Sequence, residues 1–184
     1  KEEQQTIRNT YGDRDAVTIY GAFDREARRA VTAANSAYQI KVWNLNTNEL
    51  THSIPTPGAG AYSIAMSPDG RSVALVSGEW SRIINVDGEE NDEPIRLHET
   101  SDMFSVEFSP DGRQVVTGQD HGVVRVWDAQ SGQQLVTLSS GSETENLRVL
   151  DVAWSSDGET IAAARDDGVI EIWKLLEPAG ESNP

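Results

Sequence analysis

Apolar and polar positions alternate in short runs that return at a near-constant interval along the chain. Tyr62, Ile64 and Met66, then Phe104, Val106 and Phe108, then Leu150, Val152 and Trp154 occupy every second residue. That is the period of a strand with one face turned inward. Each run leads into a turn: Ser67-Pro68-Asp69-Gly70, Ser109-Pro110-Asp111-Gly112 and Ser155-Ser156-Asp157-Gly158. Asp-Gly between two alternating runs predicts a β-hairpin, because glycine supplies the positive φ of a tight turn. A third strand is predicted at Ile40-Lys41-Val42-Trp43, Ile83-Ile84-Asn85-Val86, Val123-Val124-Arg125-Val126-Trp127 and Val169-Ile170-Glu171-Ile172-Trp173. The first three of these continue into a fourth strand. A further copy comes first, since Phe23 to Ala33 lines up with Phe108 to Gly118. Its turn, Asp24-Arg25-Glu26-Ala27, has lost the glycine, so Ala27 is not expected to need a positive φ.

Self-similar four-stranded units of about 40–45 residues, with Trp-Asp near the end of the third strand, resemble the WD-repeat family. Trp127-Asp128 is the intact dipeptide, and Trp43-Asn44, Val86-Asp87 and Trp173-Lys174 stand at the other positions. The resemblance covers residues 5–175. It implies an all-β fold, a β-propeller of four four-stranded antiparallel blades forming half or part of a ring of about seven or eight. The expected boundaries are an outer strand closing another blade at 1–10, blades at 11–57, 58–99, 100–144 and 145–178, and a polar tail at 179–184. The hydrogen-bonded set of His, Ser or Thr, Asp and Trp that ties many blades of this family is mostly broken. His98 is near the expected place for its histidine, and His121 and Asp167 fall in the turn before the third strand. The blades are therefore expected to rest on packing and on their Asp-Gly turns.

The ends bear on assembly. Gln5 to Thr10 matches the fourth-strand position seen at Gln134 to Leu138, whereas the segment after Trp173 has no obvious fourth strand. The remaining blades are expected, in this order, from a longer parent chain, from a second copy completing an eight-bladed ring, or not at all, with four blades closing alone.

Charge narrows the partners. The 30 Asp and Glu against 15 Lys and Arg give a formal charge of -15, which repels nucleic acid and anionic lipid and favours a basic peptide or protein. With no cysteine there is no disulfide framework or thiolate metal site, and no apolar stretch approaches the roughly 20 residues that span a bilayer. A cytoplasmic setting is expected. His52, His98 and His121 fall in different copies, and no G-x-S-x-G, H-E-x-x-H, P-loop or dinucleotide fingerprint occurs, so no enzyme and no cofactor are expected. The acidic run Asp87 to Glu93 lacks the spacing of a calcium loop, with Asp92 where glycine is needed and His98 where the bidentate Glu belongs. It reads as a solvated loop.

In a propeller the turns between second and third strands emerge on the face where partners of this family usually dock. Trp80, beside Glu79 and Arg82, falls on such a turn, and an exposed tryptophan buries a large rigid area at low entropic cost. Packing between blades is the competing role for it. The same rim should present Ser36, Ala37, Tyr38, Asp120, His121, Arg165, Asp166 and Asp167. The expected function is a non-catalytic interaction scaffold binding a protein or basic peptide on this rim. The alternative is a sensor or regulatory module of a larger multidomain signalling enzyme.

Overall fold

In the computed structural model the described residues are 10–11, 14–15, 18–34, 39–56, 61–77, 81–88, 92–97, 102–139 and 147–175. Trp80, Glu79, Tyr38, Ser36, Ala37 and His98 lie outside them.

Each alternating run becomes a strand, and each Ser-x-Asp-Gly becomes a turn of one design. The Ser67 hydroxyl donates to Asp69 Oδ1 (2.7 Å) and accepts from the Ser72 amide (2.9 Å), while Asp69 Oδ1 accepts from the Arg71 amide (3.0 Å). Ser109 and Asp111 repeat this, as do Ser155 and Asp157. The serine hydrogen bond first, then the Arg113 amide, holds the Asp111 carboxyl below its ordinary range. The glycines follow at φ 72° (Gly70), 73° (Gly112) and 77° (Gly158).

The first copy reaches the same geometry by other means. Asp24 stands where the others have serine, and its Oδ1 accepts from both the Arg28 (2.7 Å) and Arg29 (3.1 Å) amides. One carboxylate thus does the work of the Ser-Asp pair. Ala27 takes the glycine position at φ 51°, contrary to the expectation that this turn had given up the left-handed conformation. The turn hydrogen bond persists, from the Ala27 amide to the Asp24 carbonyl (3.1 Å), and this bond fixes the backbone whatever residue occupies it.

The strands assemble into antiparallel meanders. A small hairpin joins β1 (Thr10–Tyr11) and β2 (Arg14–Asp15). Blade 1 comprises β3 (Thr18–Phe23), β4 (Arg29–Ala34), β5 (Gln39–Asn44) and β6 (Glu49–Pro55). Blade 2 comprises β7 (Ser63–Met66), β8 (Ser72–Val76), β9 (Arg82–Asn85) and β10 (Ile95–Arg96). Blade 3 comprises β11 (Met103–Phe108), β12 (Gln114–Gln119), β13 (Val123–Asp128) and β14 (Gln134–Ser139). Blade 4 comprises β15 (Val149–Trp154), β16 (Thr160–Arg165) and β17 (Ile170–Lys174). The fourth blade therefore has three strands among the described residues, not four. Thr10 pairs with Asp15, and residues 5–9, the rest of the expected outer strand, lie outside the described set.

Successive blades bury apolar faces against each other, so each has a leading face turned to the next blade and a trailing face turned to the one before. Val31, Ile40 and Val42 of blade 1 meet Ile64, Val73 and Leu75 of blade 2. Ala74, Val76 and Ile83 then meet Val106, Phe108 and Trp127, and Val116, Val124 and Val126 meet Val149, Val152 and Ile161. Each such side chain fully removed from water contributes about 1.5–3 kcal/mol. Polar links lock the stack: the Trp154 amide donates to Glu107 Oε2 (2.6 Å), and Arg29 Nη1 reaches the Gly70 carbonyl (3.0 Å) and Asp87 Oδ1 (2.8 Å).

Three further details differ from the sequence reading. Val73 pairs with Ile84, as Val115 pairs with Trp127, so Ile84-Asn85 holds the Trp-Asp position in blade 2 rather than Val86-Asp87. The tie within blades also survives in part, because Trp43 Nε1 donates to Thr32 Oγ1 (3.0 Å) and Trp127 Nε1 to Thr117 Oγ1 (2.8 Å). In blade 3 Gln119 adds a donor to Thr117 (3.2 Å) and accepts from Arg125. Finally, Phe23 of blade 1 and Ile172 of blade 4 stay 64% and 69% exposed, so four blades form an arc and do not close alone.

Candidate interaction rim

At the entrance to the first strand of three blades the register slips by one residue. The slips fall between Thr18 and Tyr20, between Met103 and Ser105, and between Val149 and Asp151. A β-bulge of this kind leaves one residue unpaired and re-aims its side chain. The extra residues are Ile19, Phe104 and Leu150, and Tyr62 holds the matching place in blade 2, its amide bonded to the Val76 carbonyl (2.9 Å). Strict alternation assigns Tyr62, Phe104 and Leu150 to the inward set. Instead Tyr62 is 43% and Leu150 51% exposed, while Ile64, Val106 and Val152 beyond them are buried. The bulge brings Leu150 onto the rim and leaves Phe104 half-buried there, and Tyr62 reaches the matching place in blade 2 without a register slip.

These residues connect across blades. The Tyr62 and Phe104 rings stack with centroids 5.6 Å apart and planes at 16°. The Arg148 guanidinium lies 5.7 Å from the centre of the Phe104 ring, extending the row to blade 4 with a cation over an aromatic face. Arg148 is held in turn by Asp166: its amide reaches Oδ1 and its Nε reaches Oδ2, both at 3.1 Å. These bonds, the backbone one foremost, keep the Asp166 carboxyl below its ordinary range.

The acidic members of the rim are partly united. Asp120 forms a backbone bridge with Arg148, and its amide bonds to the Asp102 carbonyl (3.1 Å). His121 (φ 61°) and Gly122 (φ 69°) make the tight turn that presents it, with positive φ at both central positions. Burial, and then the neighbouring Asp102 charge, push the Asp120 carboxyl above its ordinary range, against the weaker pull of His121 and Arg148. Asp120 therefore carries its charge at a cost in the free protein. Arg165 is committed inside its own blade, with Nη1 on Glu171 (2.8 Å) and its Nε on Asp167 (3.2 Å). It positions Asp167. Arg82 Nη1 turns back to the Ser81 carbonyl (2.8 Å). Of the residues expected on the rim, Asp120, His121 and Asp166 thus come together around Arg148. Tyr62, Phe104, Leu150, Asp102 and Arg148 complete the surface, and their sequence signal was an apolar residue one place ahead of the paired strand.

Among the described residues no group of three or more His, Asp or Glu is arranged to hold a metal ion, and no helix is long and apolar enough to cross a membrane.

Comparison with known proteins matches the WD domain, G-beta repeat, to residues 94–128 and 132–174. The periodic tryptophan protein 2 homolog of Schizosaccharomyces pombe is 22% identical over 72% of this chain and 16% of its own length. The WD repeat-containing protein SL1-17 of Schistosoma mansoni is 31% identical over 51% of the chain and 31% of its length. The eukaryotic translation initiation factor 3 subunit I of Drosophila pseudoobscura pseudoobscura is 25% identical over 65% and 39%. The chain thus spans less than two fifths of each of these curated relatives. Among solved structures, the Cps50 (Swd1) β-propeller domain of Myceliophteria thermophila superposes with a TM-score of 0.74 at 11% identity, over 90% of this chain and 54% of that one.

Proposed function

We propose that this chain, which matches the WD domain, G-beta repeat, over two stretches and superposes on a β-propeller domain, is a non-catalytic protein-binding platform whose rim takes a basic peptide or a basic segment of a protein. The observation that carries this reading is the row of exposed Tyr62, half-buried Phe104 and exposed Arg148, flanked by Asp102, Asp120 and Asp166. Stacked aromatic rings supply rigid apolar area, and an incoming ammonium or guanidinium gains from both the ring faces and the carboxylates. An incoming cation beside Asp120 also offsets the burial, and then the Asp102 charge, that oppose its ionised form.

Trp80 and Glu79, which lie in sequence between β8 and β9, are proposed as further anchors, with Tyr38, which lies in sequence between β4 and β5. The formal charge of -15 disfavours nucleic acid and membrane surfaces as partners. The name of the initiation-factor relative describes a subunit of a larger assembly, which supports a role within a complex and a cytoplasmic setting. Nothing in the rim geometry favours a regulatory module of a signalling enzyme over this reading.

Fluorescence anisotropy of a labelled lysine- and arginine-rich peptide tests the proposal. Saturable binding that weakens with salt, and no binding of a glutamate-rich peptide of equal length, is expected. Equal binding of both peptides, or of neither, contradicts it.

A further inference from the structure

Arg148 already makes, within the chain, the contacts that the rim offers to a cation from outside. Its guanidinium lies 5.7 Å from the centre of the Phe104 ring, and its Nε donates to Asp166 Oδ2 at 3.1 Å. Asp120, joined to Arg148 by a backbone bridge, feels the same positive charge. An aromatic face, a paired carboxylate and a second carboxylate nearby make up a seat for a cationic side chain. In the free protein that seat is filled. Phe104 is half-buried and has the stacked Tyr62 ring, 5.6 Å away, as its other neighbour, so the room for a further cation beside this ring is the room Arg148 holds.

The hold on the Arg148 backbone is separate from the hold on its side chain. The backbone is fixed by its amide on Asp166 Oδ1 (3.1 Å), by the Asp166 amide on its carbonyl (3.0 Å) and by the bridge to Asp120. The side chain is 53% exposed and makes its ion pair with Asp166 through Nε. An exposed ion pair and an exposed cation over a ring are each weak contacts. Arg165 on the same rim differs, since its side chain is 10% exposed and reaches both Asp167 and Glu171. The Arg148 side chain can therefore swing into water while its backbone stays in place. Asp166, still bonded to the Arg148 amide through Oδ1, then keeps Oδ2 at the seat. We propose that Arg148 is an internal occupant of the cation seat on the rim, and that a cationic side chain of the partner binds by taking its place against Phe104 and Asp166. This inference rests on, and deepens, the reading of the rim as a surface for a basic segment. The apparent affinity of the rim is then lowered by the fraction of the time that the Arg148 side chain fills the seat.

Arg148→Ala empties the seat and keeps the backbone bonds, so it tests the exchange in folded protein. In an anisotropy titration with the lysine- and arginine-rich peptide, Arg148→Ala should bind at least about fivefold more tightly than the wild type. Loss of a positive charge also favours a basic peptide at long range, so the comparison is repeated in the Phe104→Ala background. There the gain should shrink below about twofold, because the ring that Arg148 and the partner share is gone, whereas a bare charge effect gives the same gain in both backgrounds. In the wild type, the nuclear magnetic resonance signal of the Arg148 Nε–H, identified by its loss in Arg148→Ala, should move to the position of a free arginine as peptide saturates the rim. Tighter binding that depends on Phe104, or binding by Arg148→Ala where the wild type shows none, supports the exchange. Equal or weaker binding by Arg148→Ala, a gain of the same size in both backgrounds, or an Nε–H signal that stays in place in the complex overturns the exchange and leaves the rim a surface for basic peptides. No binding by either protein overturns the exchange and that reading together.

Discussion

Ala27 occupies at φ 51° the turn position that Gly112 occupies at φ 73°. The two turns share their backbone hydrogen bonds, from the Ala27 amide to the Asp24 carbonyl (3.1 Å) and from the Gly112 amide to the Ser109 carbonyl (2.9 Å). They differ in what the Cβ costs. An L-residue with a side chain loses roughly 1–2 kcal/mol in the left-handed region, partly offset because glycine gains freedom in the unfolded chain. Ala27→Gly should therefore stabilise the protein by about 0.5–1 kcal/mol. Gly112→Val should cost about 1 kcal/mol or more, since a β-branched residue resists that φ and an added Cβ would meet Pro68 Cδ at 3.3 Å. Opposite shifts in chemical-denaturation midpoint check the pair, and equal signs contradict it.

Thr117 is the hub of the buried network in blade 3, accepting from both Trp127 Nε1 and Gln119 Nε2. Thr117→Val keeps the shape and removes the acceptor, leaving the Trp127 indole N–H without this partner in a site closed to water. The expected loss is about 1–3 kcal/mol. Leu75→Val, at the corresponding place in blade 2 opposite no tryptophan, alters packing only. A Thr117→Val protein that melts with the wild type removes the network from the account of stability.

Asp120 ties stability and binding to opposite signs. Its folded-state pKa is raised, so between its ordinary value and that raised value the folded protein binds more protons than the unfolded chain. Stability contributed by this group falls as pH rises through that window, and at neutral pH the ionised carboxyl opposes folding. Asp120→Asn should raise the melting temperature at pH 7 and leave it unchanged well below the ordinary carboxylate range. It should also weaken a basic peptide. Thermal scans at both pH values, with peptide titration at the higher one, check the two signs together.

Much of this was legible because the decisive signals are local. Asp-Gly at Asp69, Asp111 and Asp157, set between alternating runs, specifies hairpins, and the recurring unit specifies blades. Even the first copy could be aligned, although the carboxylate of Asp24 doing two jobs could not be foreseen from a turn without serine or glycine. What failed to show depends on register. A bulge moves Phe104 and Leu150 from the inward set to the rim without altering the alternation, since the slip lies in how two strands pair, and Tyr62 holds the matching place just ahead of the paired strand of blade 2. For the same reason Ile84 rather than Val86 took the tryptophan place. The Thr-Trp bonds were hidden because Thr32 and Thr117 look like ordinary strand residues until a tryptophan on the next strand lies against them. The rim's use of Arg148 likewise comes from contacts between blades.

Phe104 lies at the middle of the surface proposed for a basic partner, between the Tyr62 ring and the Arg148 guanidinium. The most direct measurement is the affinity of the Phe104→Ala protein for a lysine- and arginine-rich peptide, with folding checked by thermal melting. An aromatic anchor at the centre of an interface is worth about 2 kcal/mol or more, roughly a thirtyfold loss of affinity, with the melt nearly unchanged because the side chain is part of the rim. Undiminished affinity in a folded Phe104→Ala protein would contradict the account.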